Sequence, residues 1–380
     1  MKRLLMVIVL FLGSLWVNGQ VTARAEAEIA AIMANYEAIG VAVAVVKDSD
    51  IIYSQSFGLK DVEVGEKLET DDLFRIASIS KSFVTTGIMQ LVEAGKLSLD
   101  DDVGDLIGFR VRNPHFPDSV ITLRLLLSHR SSLSDKNGYF TLDALHPDRS
   151  EGWANAYNSY APNEGYQYCN LNFNLAGAIL EKYSGERFDG YIQQHILSPL
   201  GVYGGYNVDL LDRTQFVTLY EYDRNRNRFV ASPEAYLSRA EPLKTYVEGY
   251  STPIFSPTGG MKISAEDLAK VMMMHMNDGM GSNGTRILSE KSSRTMKTVR
   301  TPETGYGMSL RTIDYLIPGK AMTGHEGIAY GLYSAMYFQP EEKFGIVVIT
   351  NGCNTGFTHG DVINDFLMEM YRCLYRNFLP

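Results

Sequence analysis

Phe74-Arg75-Ile76-Ala77-Ser78-Ile79-Ser80-Lys81-Ser82-Phe83 is the stretch on which the reading of this chain turns. Beyond it, Val84, Ile88 or Met89, Leu91 and Val92 recur at helical spacing, and Gly95 stands where a helix ends. The pattern predicts that Ser78 opens a buried helix with Lys81 one turn further on. Residues i and i+3 share a helix face, so hydroxyl and amine can meet. A serine hydroxyl is a poor nucleophile until a base takes its proton, and a desolvated lysine of lowered pKa can be that base. The helix N-terminus adds positive potential where an oxyanion develops. Ser-x-x-Lys alone is a weak signal, equally at home on an ordinary surface helix.

The flanking chain bounds what such a pair can serve. Met1-Lys2-Arg3, the apolar run Leu4–Val17 and a cut before Gln20 predict a signal peptide over residues 1–19, too short for a stable membrane span. A periplasmic or secreted location follows from it. Losing Lys2 and Arg3 moves the formal charge from −9 to −11, which argues against nucleic acid or an anionic membrane as partner. The remaining chain, 45% apolar over the full sequence, can bury a large core. With only three cysteines that core does not depend on a disulfide framework. Cys353–Cys373 is the expected bridge if one forms, with Cys169 left free. No histidine has metal-ligand spacing and no phosphate-binding glycine loop occurs, so neither metal nor cofactor is implied. Gly-x-Ser-x-Gly is absent, against a nucleophile elbow.

In chain order, a helix is expected over residues 22–38, then a hairpin of Val41–Val46 and Ile51–Gly58 around Lys47-Asp48-Ser49-Asp50. Helical patterns follow at 121–127, 170–183 and 188–200, separated by polar loops. Ser264-Ala-Glu-Asp267 resembles a capping box for a helix to about Asn277, whose Met272-Met273-Met274 reads as core. Strands are expected at 306–312, 330–338 and 344–350, and a closing helix at 362–375. This predicts an α+β fold: the N- and C-terminal strands pair in one antiparallel sheet flanked by helices, with an inserted helical lobe. Residues 20–380 form a single domain on this reading. The sheet lobe takes about 20–98 and 250–380, the helical lobe about 99–249, and Ser78 sits in the cleft between them.

Two more tripeptides carry polar chemistry. In Tyr168-Cys169-Asn170 the phenol can relay a proton and the amide can hold a substrate carbonyl. Gly324-His325-Glu326-Gly327 is read as preceding a strand whose backbone can donate to an oxyanion. Each is weak alone; their order, with Leu126-Leu127-Ser128-His129 and Gly259-Gly260, resembles the serine β-lactamase and penicillin-recognising family, class C branch. That resemblance covers nearly the whole mature chain. It implies acylation of Ser78 by an ester, amide or lactam carbonyl, with Lys81 and Tyr168 sharing the proton transfers. Asn170 would position Lys81 and the substrate, and the amides of Ser78 and Ile328 would form the oxyanion hole.

Departures from the family pattern bear on substrate. His325-Glu326-Gly327 stands where β-lactamases carry Lys-Thr-Gly, and relatives with histidine there are more often esterases, D-amino-acid peptidases or transacylases. Glu326 repels a substrate carboxylate if it faces the pocket, favouring a neutral or amine-bearing substrate, or else it points to solvent. Ser132 replaces a usual glycine, so its turn is expected to differ. Cys169 is read as an inert buried thiol. The leading expectation is an exported serine hydrolase for small esters or D-amino-acid amides and peptides. The alternatives are a peptidoglycan D,D-carboxypeptidase or β-lactamase, a transacylase, and a non-catalytic binding module.

Overall fold

The computed structural model describes residues 2–358 and 362–379, with side chains from residue 19 onward. The apolar run of the expected signal peptide lies outside the described side chains. Its backbone belongs to α1 (Lys2–Asn35), which also contains most of the helix expected over 22–38. Among the described residues no helix is long and apolar enough to cross a membrane.

Seven strands among the described residues form one antiparallel sheet. They are β1 (Gly40–Lys47), β2 (Asp50–Asp61), β3 (Glu66–Lys67), β4 (Arg311–Ile317), β5 (Lys320–Ala329), β6 (Leu332–Gln339) and β7 (Phe344–Thr350), in spatial order β3-β2-β1-β7-β6-β5-β4. The two ends of the chain meet at β1 and β7, with Val43 opposite Val348. Both strands are apolar without alternation because both their faces are covered. Val41, Val43 and Val45 pack with Ile29 of α1 and with Phe366, Met370 and Leu374 of α5 (Asp365–Phe378). Ala42, Ala44 and Val46 face the other way, into the larger core. There α4 (Ala265–Met276) lies on the sheet, capped by Ser264 Oγ, which accepts from the Asp267 amide. Its three consecutive methionines are all buried, as expected. Each such side chain contributes about 1.5–3 kcal/mol.

Away from the sheet, α2 (Ser80–Glu93) packs against α3 (Asn170–Ser184). Their approach depends on Gly87, where a Cβ would stand 2.4 Å from Leu180 Cδ1. The helix expected at 188–200 is irregular, passing from α (Phe188–Ile192) through a π turn (Gln193–Leu197) to Ser198–Leu200.

Several expectations are corrected. Ser78 does not open α2; it lies in a 3₁₀ turn, Ala77–Ile79, just ahead of it. The strand expected at 306–312 begins only at Arg311, because Ser309 adopts a left-handed φ of 58° and bends the chain. His325-Glu326-Gly327 does not precede a strand but lies inside β5, and the next strand starts at Leu332 after a Tyr330-Gly331 turn. The three cysteines are buried and free, so Cys353 and Cys373 are not bridged. Ser132 keeps the left-handed conformation of a glycine, φ 68°, with its Oγ donating to Tyr160 O at 2.6 Å. Side-chain hydrogen bonding offsets the strain of this left-handed turn.

Free cysteines give a direct expectation. Thiol titration of the denatured chain should count three thiols without reductant, and reductant should leave the melting temperature unchanged. A count of one would reinstate the bridge.

Candidate active site

The turn that carries Ser78 is held in a conformation a free chain would avoid. Ala77 has a φ of 49°, which costs a non-glycine residue roughly 1–2 kcal/mol. Its neighbours are pinned on both sides. The Ile76 amide donates to Met261 O at 3.0 Å, and the Met261 amide donates to Ser80 Oγ at 3.0 Å. Ser334 Oγ on β6 donates to Ile76 O at 3.0 Å. The strain turns Ser78 out into a cavity of about 810 Å³, within the usual range for a small-molecule site.

Lys81 is fully buried, and its Nζ has three neighbours: Ser78 Oγ at 2.9 Å, Asn170 Oδ1 at 3.0 Å and Thr258 O at 2.9 Å. Burial drives its pKa down to about 7 against the opposing pull of Asp135, Glu326 and Cys169. The neighbours differ in kind. Asn170 Oδ1 and Thr258 O are pure acceptors and engage two N–H groups. A neutral amine then has its lone pair left for the Ser78 hydroxyl. Thr258 Oγ1 donates to Asn170 Oδ1 at 2.8 Å, fixing the amide's orientation.

Asp135, which carried no motif in the sequence, sets this arrangement up. Its carboxylate accepts from the Asn170 and Leu171 amides and from Asn170 Nδ2, each at 2.9 Å. It is thus an anion at the N-terminus of α3 and the clamp that turns Asn170 Oδ1 toward Lys81. The Cys169 thiol donates to the same carboxylate at 3.2 Å, and burial raises its pKa well above the ordinary thiol value. It stays a protonated thiol.

Tyr168 lies over Lys81, whose Nζ is 4.8 Å from the ring centroid. Burial, then the charge of Glu326, push the phenol well above its ordinary pKa, against a hydrogen bond with Ser78 that pulls it down. It stays a protonated donor. The ring packs on His129, 4.3 Å between centroids, and His129 Nδ1 accepts from the Cys169 amide at 3.1 Å.

On the opposite wall, β4 pairs with β5 only as far as Gly324 opposite Arg311, so the rest of β5 has an edge free of β4. Gly327 brings that edge against the Ser78 turn: a Cβ there would stand 2.3 Å from Ile76 O. Ile328 follows, part-exposed on the cavity. His325 turns away from the cavity. Its Nε2 is 3.1 Å from Tyr306 OH, and burial lowers its pKa to about 4, so it is neutral at pH 7. Glu326 lines the cavity but is neither an unpaired repelling charge nor solvent-directed. Its Oε2 accepts from Tyr337 OH at 2.7 Å, and its Oε1 is 3.3 Å from Arg311 Nη2. Burial pushes its carboxyl up, but Arg311 and His325 hold it below the usual range.

The structure thus gathers Ser78, Lys81, Tyr168, Asn170, Glu326 and Ile328 around one cavity, backed by Gly327, and sets His325 behind its wall. Sequence reasoning missed Asp135, Thr258, Arg75 and Arg311. Of these, Arg75 alone carried a usable signal, three residues ahead of the nucleophile.

Comparison with known proteins adds to this geometry. Residues 25–363 match the family model described as Beta-lactamase. The chain is 28% identical over 355 residues to penicillin-binding protein 4 of Amycolatopsis lactamdurans, covering 90% of this chain and 88% of that one. It is 31% identical over 184 residues to esterase EstB of Burkholderia gladioli, covering 43% of this chain and 46% of that one. Among solved structures, the octameric penicillin-binding protein homologue from Pyrococcus abyssi superposes with a TM-score of 0.73 at 25% identity. That match covers 93% of this chain and 77% of the other.

A lysine that is neutral when active gives a rate that rises with pH. Phosphonylation of Ser78 by a fluorophosphonate should climb with a midpoint near pH 7. Removing the Asp135 charge deprives the Lys81 ammonium of a stabilising partner, so Asp135→Asn should move that limb to lower pH. A limb that does not move would separate Asp135 from the lysine.

Proposed function

This chain belongs to the β-lactamase family of serine hydrolases, and we propose that it is an exported enzyme that turns over small esters or D-amino-acid amides through a Ser78 acyl-enzyme. The observation that carries the reading is the Lys81 amine, with its two fixed acceptors and Ser78 Oγ at 2.9 Å. Neutral Lys81 takes the Ser78 proton as Oγ attacks the carbonyl, and the Ser78 and Ile328 amides receive the oxyanion. The protonated Tyr168 phenol passes a proton to the leaving group and recovers it from Lys81. Water repeats the sequence to free the acyl group, regenerating the enzyme.

The substrate class rests on the β5 wall. The glutamate at position 326 satisfies Arg311, leaving that side with little net charge to hold a carboxylate. An uncharged acyl or amine-side group suits it. The esterase similarity supports the ester reading; the penicillin-binding protein similarity keeps a D,D-peptidase as the second.

Intact mass of the mature protein after fluorophosphonate, with penicillin in a parallel sample, tests the proposal. The adduct should form on wild-type protein and vanish in Ser78→Ala, while esterase turnover falls by at least about a thousandfold. An adduct or turnover surviving Ser78→Ala would contradict the reading. A stable penicillin adduct would move the protein to the peptidase class.

A further inference from the structure

The cavity holds a second arginine whose situation differs from that of Arg311. Arg75 is only 7% exposed, yet it lines the same cavity as Ser78. Its Nε donates to Gly259 O at 2.9 Å and its Nη2 to Ser256 Oγ at 3.3 Å, both neutral acceptors. The guanidinium lies over the Tyr330 ring, 4.8 Å from the centroid. Among the described residues it forms no ion pair, and its Nη1 has no hydrogen-bond partner. A buried guanidinium without a counter-charge is costly.

Two further basic side chains, Arg239 and Lys262, lie close enough to interact with Arg75. Arg239 and the fully buried Lys262 both feel the Arg75 charge, and burial together with these two arginines drives Lys262 well below its ordinary pKa. Asp209, the acid that acts on Lys262, is engaged elsewhere: its Oδ1 pairs with Arg213 at 2.9 Å and its Oδ2 accepts from the Arg239 amide at 2.7 Å. Glu221, exposed on the rim beyond Tyr330, makes no ion pair with Arg75. The two arginines serve different walls. Arg311 belongs to the Tyr306 and Glu326 side, Arg75 to the Ser256, Gly259 and Tyr330 side.

We propose that Arg75 is an anion-recognition residue, holding a carboxylate on the substrate at the Ser256–Tyr330 wall while the scissile carbonyl lies at Ser78. The inference rests on the hydrolase reading above and narrows it to esters or amides that carry an acidic group. Guanidinium suits such a group because its free N–H donors form a planar fork and the Tyr330 face holds that plane. The carboxylate supplies the missing counter-charge in a site already shielded from water.

Matched ester pairs test it. The first pair is mono-p-nitrophenyl glutarate and its methyl ester, which differ by a charge on the acyl side. The second is the acetate of 4-hydroxy-3-nitrobenzoate and that of its methyl ester, which differ on the leaving-group side. In one pair the wild-type enzyme should favour the charged member in kcat/KM by roughly 10- to 100-fold, mostly through KM, with the preference falling as salt is added. Arg75→Met should erase that ratio and Arg75→Lys should keep part of it. Because Arg75 also braces the Ser256–Gly259 turn, absolute rates can drop; the charged-to-neutral ratio is what a purely structural role would leave unmoved. No preference in either pair, or one that survives Arg75→Met in folded protein, would overturn the proposal. Wild-type turnover of none of the four esters, without phosphonylation, would overturn the hydrolase reading instead and this inference with it.

Discussion

The site depends on one buried amine. Lys81 sits where water does not reach, and three oxygens at hydrogen-bond distance compensate it. A lysine there either stays charged at a heavy desolvation cost or gives up its proton at neutral pH. Two of the three oxygens are acceptors that keep N–H groups busy in either state, and burial tips the balance toward the neutral amine. The negative field of Asp135 and Glu326 restrains the fall of the pKa and holds it near physiological pH, where a base is useful and its conjugate acid can return the proton.

The rest of the molecule keeps that amine and its partners in register. Asn170 comes from the start of α3, Thr258 from a loop, and Ser78 from a turn ahead of α2. These are three segments remote in sequence, joined by packing and by the hydrogen bonds among Lys81, Asn170 and Thr258. The rigid element is the sheet. β1, β6 and β7 are buried on both faces, and β6 offers Ser334 to grip the Ile76 carbonyl ahead of Ser78. The strain at Ala77 is tolerable for that reason: hydrogen bonds on either side of it leave the turn no cheaper conformation.

The central strands were legible because a run such as Val41–Val46 or Phe344–Thr350 has one reading once turns bracket it. Ser78 and Lys81 were legible because residues i and i+3 are neighbours in an α-helix and in a 3₁₀ turn alike, so misplacing the helix start by two residues did no harm. Tyr168 and Asn170 stood out by their place at a helix start and by order along the chain. What stayed hidden was contributed by irregular backbone. Thr258 meets Lys81 through its main-chain carbonyl, which no side-chain pattern reports. Asp135 lies in a polar loop and caps a helix 35 residues away in sequence. Glu326 was misjudged because a strand's two faces cannot be told apart without its neighbours, and the neighbour that neutralises it, Arg311, lies across the β4–β5 pair. The strand expected at Tyr306 began late for an equally local reason, a left-handed serine with no turn motif around it.

The protonation state of Lys81 decides the account most directly. With ¹³C-labelled lysine and the Lys81 resonance assigned by its loss in Lys81→Met, an NMR titration of the side chain reads that state without substrate or turnover. The account requires Lys81 to titrate near pH 7, well below the ordinary lysine value of about 10.4. Titration at that ordinary value would contradict it, since a permanently charged Lys81 has no lone pair to offer Ser78.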